Sequence, residues 1–474
     1  MFERIKKGVG LFKMAFEKES LDSKRIIFEI NKFKTSDKFQ WMQTGMRYYD
    51  VDHDILSQPE DMRSRANRRL AHATYKNIVD EKVAYAFSKT PTLRPILSSA
   101  EKNSAKDDAF LQKIKDSLGK YWEYEIESLA YEASNKGIGW LHPYIDERGR
   151  FKMFVPPSEQ IIPIWQDSSH FRLDAVIRIY ESFVWVFGRE EKAEFVELWT
   201  KDSFKKYRKT YDTLVEVETG LLGGHFLVDG APQSWDKVPF IPFKNNRREL
   251  GDIKFVKSLV DNYDLSRSEV ANYIAEVTNY VMVVSGYDVY ESNKLRTEIL
   301  ENRLVVLDED GTITALTPEV NIGAAKEHYE RIFKDIKDSG QAVDKSLDHF
   351  GSAPSGIALQ FLYSGLDLKC SAIESEFRRG FDGLMYFVHT FLSLSSDENL
   401  MTEHEIEIVF NRNITIDEET KIKSAVESKG VISDVTILAH HPWVNDTQEE
   451  IRRLDEQQKK EEASFNFANL PKEE

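Results

Sequence analysis

The chain has 474 residues, 41% hydrophobic and 12% aromatic, enough for several cores at roughly 150 residues per domain and too apolar to stay unfolded. Its 64 Lys and Arg stand against 80 Asp and Glu, a formal net charge of −16. That argues against a protein whose main task is gripping nucleic acid, since phosphate neutralisation needs clustered cations, though not against one that nucleic acid slides past.

The first residues, Met1 to Glu19, carry basic groups but lack a continuous apolar core and a small-residue cleavage site, so a short amphipathic helix is expected rather than a targeting signal. From Lys24 to Leu118 the pattern is mostly helical. Ile78, Lys82 and Tyr85 recur at helical spacing beside Val79, Val83 and Phe87, and Pro91 discourages continuation. Helices follow over Ala109–Leu118 and Tyr121–Lys136, stopping at Gly137 and Gly139.

At Trp140 the apolar period changes to two. A turn at Asp146-Glu147-Arg148-Gly149 joins strands ending at Ile145 and resuming at Phe151. Strands are then expected at 171–180, 183–187, 194–199, 204–209 and 214–218, an antiparallel meander. Two prolines keep 238–243 from being a central strand.

Asp252 opens a long helix whose stripe (Val256, Val260, Tyr263, Val270, Ile274, Val277 and Val281) is broken only by Arg267, and whose end falls near Ser285-Gly286. Residues 287–320 read as a small insert with strands 303–307 and 312–316 around Asp308-Glu309-Asp310-Gly311, a turn better than a calcium loop. A second helix spans 322–339 and closes at Gly340. A polar loop, 345–356, leads into a long apolar helix from Ile357 to about Leu394, whose run from Leu384 is too short and too interrupted to cross a bilayer. A half-exposed strand at 404–410 precedes a helical C-terminus, with capping boxes at Thr415/Glu418 and Asp446/Glu449 and a stop at Gly430.

Cys370 is the one cysteine; it excludes an intrachain disulfide framework and a cysteine zinc site, and fits a reducing compartment. Phosphate-cradling GxxxxGK[ST], GxSxG and HExxH motifs are absent. His440-His441 reads as a structural pair at a bend. The acids of Asp50-Val51-Asp52-His53-Asp54 alternate as metal ligands do, but with no converging partners the segment reads as a solvated loop. Arg63, Arg65, Arg68 and Arg69, and Lys205, Lys206, Arg208 and Lys209, suit solvated faces or acidic neighbours as well as phosphate. No catalytic residue, metal site or cofactor is expected.

Four stretches occur in one order over most of the chain: Asn77–Phe87 followed by Pro91; Pro239-Phe240-Ile241-Pro242-Phe243-Lys244-Asn245-Asn246 before the long helix; Phe350–Leu359 with Tyr363 and Leu366; and Val431–Leu438 ending in His441-Pro442-Trp443-Val444-Asn445-Asp446. Together they resemble the siphovirus-type portal family of tailed double-stranded-DNA bacteriophages. The resemblance implies an α+β portal fold: a mixed wing (1–250, with a helix and strand at 357–413), stem helices at 251–284 and 322–344, a small clip at 285–321, a channel loop at 345–356 and a helical crown at 414–474.

It also implies a closed heterologous ring of roughly a dozen copies at one capsid vertex. Duplex DNA would pass without sequence specificity during packaging and ejection. The clip would dock the terminase large subunit and then a head–tail adaptor; major capsid and scaffold proteins would be neighbours, and no membrane is involved. Such a protein sits in the virion after assembly in the host cytoplasm. The channel loop would offer Lys345 as phosphate contact, with Ser346, Asp348 and His349, and Gly351 and Gly356 would let it re-bend. Polar stem positions that would line the channel are Lys257, Asp264, Glu276, Lys326, Lys334, Asp335, Lys337 and Asp338. The alternatives are a nucleic-acid-processing enzyme and another capsid connector or scaffold component.

Overall fold

A computed structural model describes residues 21–59, 66–96, 105–186, 188–277, 281–285, 312–316, 322–344, 356–395, 405–412, 418–444 and 447–468. In chain order its elements are α1 (Ser23–Lys34), α2 (Asp37–Tyr49), α3 (Thr74–Phe87), β1 (Lys89–Ile96), α4 (Ala105–Leu118), α5 (Trp122–Lys136), β2 (Ile138–Ile145), β3 (Phe151–Phe154), β4 (Ile161–Trp165), β5 (Leu173–Val186), β6 (Arg189–Thr200), β7 (Phe204–Thr210), β8 (Thr213–Val217), β9 (Phe226–Val228), β10 (Ala231–Gln233) and β11 (Ile241–Lys244). They continue as α6 (Ile253–Val277), β12 (Val281–Ser285), β13 (Thr312–Leu316), α7 (Ile322–Gly340), α8 (Gly356–Ser395), β14 (Glu405–Asn411), α9 (Glu418–Glu427), α10 (Asp434–His440) and α11 (Thr447–Ala468). The fold class is α+β.

The chain divides into two compact units. One holds Met1–Met46, Val79–Lys254 and Lys345–Glu474; the other holds Arg47–Ile78 and Phe255–Asp344.

In the first unit β5 to β8 form the expected antiparallel meander in chain order, and β4, which was not expected, adds an edge strand beside β5. One face is covered by α1, whose Ile26 and Ile30 pack on Ala175, Ile177, Ile179, Val196, Leu198 and Tyr207. On the other face Val176, Trp199 and Phe204 meet Trp140, Val238 and Phe240. The strands expected at 171–180 and 183–187 are one continuous β5, because Glu181 and Ser182 turn to solvent without interrupting its ladder to β6. β11 pairs with β2 as an edge strand, the place its prolines permit.

β1 was not expected. Pro91 and Pro95 argue against a strand, yet 89–96 pairs antiparallel with β14, with the register shifting between Lys89 and Thr92. The prolines are tolerated by that irregularity and by the two-stranded sheet, which has only edge strands.

Gly137 ends α5 in the left-handed region at φ 85°, as expected. It also admits the chain from below: a Cβ there would lie 2.1 Å from the Glu249 carbonyl oxygen. Gly137→Ala is therefore expected to cost about 3 kcal/mol or more, read as a lowered denaturation midpoint.

Two helix ends differ from expectation. α6 stops at Val277, and 281–285 is a strand paired with 312–316; the run Val281-Met282-Val283-Val284 is β-prone enough to break the helical continuation. α7 does end at Gly340, but the left-handed residue is Gln341 at φ 52°. Gly340 is small because Ile78 lies against it, 2.8 Å from where a Cβ would sit.

The N-terminal amphipathic helix, the strand at 303–307, the turn at Asp308–Gly311, Arg63, Arg65, and Thr415 and Asp446 of the capping boxes lie outside the described residues.

Candidate functional site

The second unit contains both helices expected to carry the stem. α7 keeps its sequence pattern only in part: of the apolar positions Ile322, Ala325, Tyr329, Ile332, Phe333 and Ile336, Ile322 and Phe333 are exposed. Ile332 and Ile336 are buried with Gly340, while Lys326, Lys334, Asp335 and Asp338 are exposed. Lys326 pairs weakly with Glu330 at 3.6 Å, and the half-buried Lys337 lies over the Phe333 ring. The two helices meet through Tyr263 and Phe333, 5.8 Å between ring centroids, and through the Arg267 guanidinium 4.6 Å over Tyr329. The polar break in the α6 stripe is thus a cation–π contact.

α6 departs from its pattern. Its buried row is Ile253, Val256, Val260, Asp264 and Ser268, with steps of three and four, whereas Ile274 is exposed. Asp264 is fully buried, so its expected place on a channel wall is corrected. Its Oδ2 lies 2.5 Å from Nδ1 of His53, and its Oδ1 accepts from the backbone N–H of His72 at 3.1 Å and lies 2.8 Å from His72 Nδ1. Ser268 donates to the Asp264 carbonyl and accepts from the Leu70 N–H. His53 and the stretch 70–72 are therefore held to α6 by polar groups.

The neighbouring turn repeats the device. Lys257 Nζ lies 2.6 Å from Asp54 and 2.7 Å from Asp261, Arg47 pairs with Asp54 at 2.8 Å, and the Tyr48 hydroxyl donates to Asp261. Burial raises the Asp54 carboxyl, but its bonds to Lys257 and Arg47 outweigh that and hold it at about 2. Lys257 is thereby ion-paired within its own unit while its side chain stays partly exposed. In the segment Asp50–Asp54 the acids Asp50 and Asp52 are exposed, as a solvated loop requires, while His53 between them and Asp54 is buried and stacked on Tyr48 at 4.4 Å.

Glu276 falls in the last turn of α6, with its side chain outside the described residues. Lys345, Ser346, Asp348, His349 and Gly351 of the channel loop lie outside them too. Gly356 opens α8 and is not part of a loop. Among the described residues no group of three or more His, Cys, Asp or Glu is placed to hold a metal, and no helix is long and apolar enough to cross a membrane.

The first unit carries its own buried ionic centres. Burial raises the Glu249 carboxyl, but Lys38, His170 and Lys244 together bring it down to about 2. A carboxyl depressed in the folded state contributes stability that is present above its ordinary value, near 4.5, and lost as pH falls towards 2. Glu249→Gln is expected to remove up to about 3 kcal/mol at neutral pH and to flatten the acid limb of unfolding between pH 4.5 and 2.

A family model described as phage portal protein, SPP1 Gp6-like, matches residues 34–464. The chain belongs to this portal family. The portal protein of Bacillus phage SPP1 is 27% identical over 429 residues, 87% of this chain and 82% of the relative. That of Clostridium phage phiCD119 is 30% identical over 439 residues, 88% and 92% of the two chains. A chain in the neck of an empty GTA particle, computed with C6 symmetry, covers 77% of this chain and 88% of its own length at 9% identity and a TM-score of 0.43. The function is that of a phage portal protein, a virion component of a family that is structural rather than enzymatic.

Sequence reasoning missed the clamp on His53 and 70–72. The signal was present as an unbroken 253/256/260/264/268 row, provided an aspartate and a serine are allowed inside.

Proposed function

We propose that copies of this chain close into a ring of about a dozen subunits at one capsid vertex, a heterologous assembly around an axial hole. Duplex DNA is packaged and ejected through that hole, and the energy comes from another protein. Family membership over 34–464 carries the reading.

Within it, residues 1–250 with 357–413 form the wing, α6 and α7 the stem, 285–321 the clip and 414–474 the crown. The loop ahead of α8 reaches the DNA, with Lys345 as the phosphate contact beside Ser346, Asp348 and His349 and with Gly351 as its hinge. With Asp264 and Lys257 assigned to internal bonds, the channel wall falls to Lys326, Lys334, Asp335 and Asp338 on α7, with Glu276 from α6. Mixed signs suit transport, because a lysine wall would hold the duplex by several counterion-releasing contacts. The clip docks the terminase large subunit first and a head–tail adaptor later, with capsid and scaffold proteins around the wing, during assembly in the host cytoplasm.

Negative-stain microscopy of the purified chain tests this. Annular particles with a central hole are expected; monomers or dimers under all solution conditions, or unaided cleavage of DNA, would contradict it.

A further inference from the structure

We propose that the two ends of β5 supply the two halves of a head-to-tail contact between copies of this chain: a guanidinium-rich edge around Phe171 and Arg172 in one copy receives the aromatic ribbon 181–194 of the next. The inference deepens the ring reading above and rests on it.

The loop before β5 is built to hold its side chains outward. Asp167 accepts from the N–H groups of Ser169 at 2.9 Å, Phe171 at 3.2 Å and Arg172 at 2.9 Å. His170 sits in the left-handed region at φ 56°, stacked on Trp165 at 4.8 Å and 2.8 Å from Glu249. A loop fixed this way still leaves Phe171 59% exposed and Arg172 exposed, and rigidly displayed aromatic and arginine side chains are the residue types that dominate protein contacts.

More cations surround it. The Arg379 guanidinium lies 4.0 Å over the Phe171 ring. Arg379 and Arg247 share Glu376 at 3.8 and 3.9 Å, and the Arg247 side chain is almost wholly exposed. Burial and the nearby Arg172 both push the Lys237 ammonium, which lies 3.5 Å over the Tyr386 ring, below its ordinary value. The carboxylates placed against this edge are Asp167, which is taken up by backbone N–H groups, and Glu376, which Arg379 and Arg247 share.

At the far end of the strand the sheet narrows. β4 covers β5 only to Arg178, and β7 covers β6 only from Glu194. Residues 181–186 and 189–193 therefore stand as a two-stranded ribbon, carrying Phe183 66% and Trp185 75% exposed on one face. Glu181 is paired with Lys192 and Glu191 with Arg208, while Glu190 stands opposite Trp185. An exposed indole and phenyl ring beside a carboxylate are what a cluster of guanidinium groups binds, by cation–π contact and ion pairing; Arg379 on Phe171 already shows that contact within one chain.

Geometry selects a second copy as the occupant. Arg172 and Trp185 are separated by thirteen residues of extended chain, about 40 Å at roughly 3.3 Å per residue, so a ribbon cannot fold back on its own edge. Duplex DNA would satisfy the arginines but offers nothing to Phe171. Two unlike patches at opposite ends of one rigid element are what a closed heterologous ring requires.

The test places a photo-crosslinking p-benzoylphenylalanine at Phe183 in the full-length chain. Irradiated rings should give covalent dimers and higher ladders, joined to peptides containing Phe171–Arg172 or Arg247. Rings that crosslink elsewhere, or only within one chain, overturn this contact while leaving the ring reading intact. If the unmodified chain forms no rings, both fall. In parallel, the Phe183→Ala, Trp185→Ala double variant should need at least tenfold more protein to assemble, with an unchanged melting curve for the unassembled chain; an unchanged assembly midpoint also overturns the contact.

Discussion

Asp252→Ala is expected to destabilise the first unit by about 3–5 kcal/mol, the range found when one partner of a buried ion pair is removed. Asp252 is 5% exposed and answers two cations with one oxygen: Lys82 Nζ at 3.0 Å and Lys369 Nζ at 3.1 Å both meet its Oδ2. The Asn245 amide donates to Oδ1 at 2.8 Å, and its own oxygen accepts from Lys82. Burial works against the carboxylate, but Lys369 and Lys82 outweigh it and hold the group below the usual carboxylate range.

Without Asp252 two ammonium groups face each other, one of them 1% exposed. The least costly escape is loss of the Lys82 proton, since burial already pushes that group down. A lysine neutral when folded and charged when unfolded makes folding more favourable as pH rises. The deficit of the variant should therefore shrink between pH 7 and 10, and urea denaturation at the two pH values checks both statements. A loss under 1 kcal/mol at pH 7, or one that grows with pH, would sink the account.

Lys82 also shows what the sequence could and could not disclose. Its helical spacing with Ile78 and Tyr85 was legible, but nothing local says that its charge is buried, because Asn245 and Asp252 lie 163 and 170 residues away. Elements whose cause is local were readable: the Gly137 cap, the Asp146–Gly149 turn and the meander from 194 to 217. Elements whose cause is distant were not. β1 exists because β14 pairs with it, against the preference of two prolines. The polar row of α6 is buried because histidines about 200 residues away bond to it. The expected channel wall failed at Asp264 for that same reason, since periodicity separates polar from apolar faces but cannot distinguish a wet polar face from a bonded one.

That failure supplies the second large expected effect. Asp264→Ala should cost the second unit about 3–5 kcal/mol, because it leaves three buried or half-buried donors (His53 Nδ1, His72 Nδ1 and the His72 amide) without their acceptor. Asp264→Asn should be milder, about 1–2 kcal/mol. Its amide oxygen can serve His72 as before, and its NH2 can donate to His53 Nδ1 once that ring carries its proton on Nε2, 3.2 Å from the Tyr48 carbonyl oxygen. Ser268 still bonds to the backbone of residue 264 in both variants, so the helix itself persists. What loosens is the attachment of His53 and of 70–72. Hydrogen exchange followed by mass spectrometry should show faster exchange in peptides covering 53–59 and 66–72 in the alanine variant, with little change in α7. Equal losses for alanine and asparagine would mean that charge, not hydrogen bonding, holds the clamp. An unchanged exchange rate in the alanine variant would remove Asp264 as the fastening point altogether.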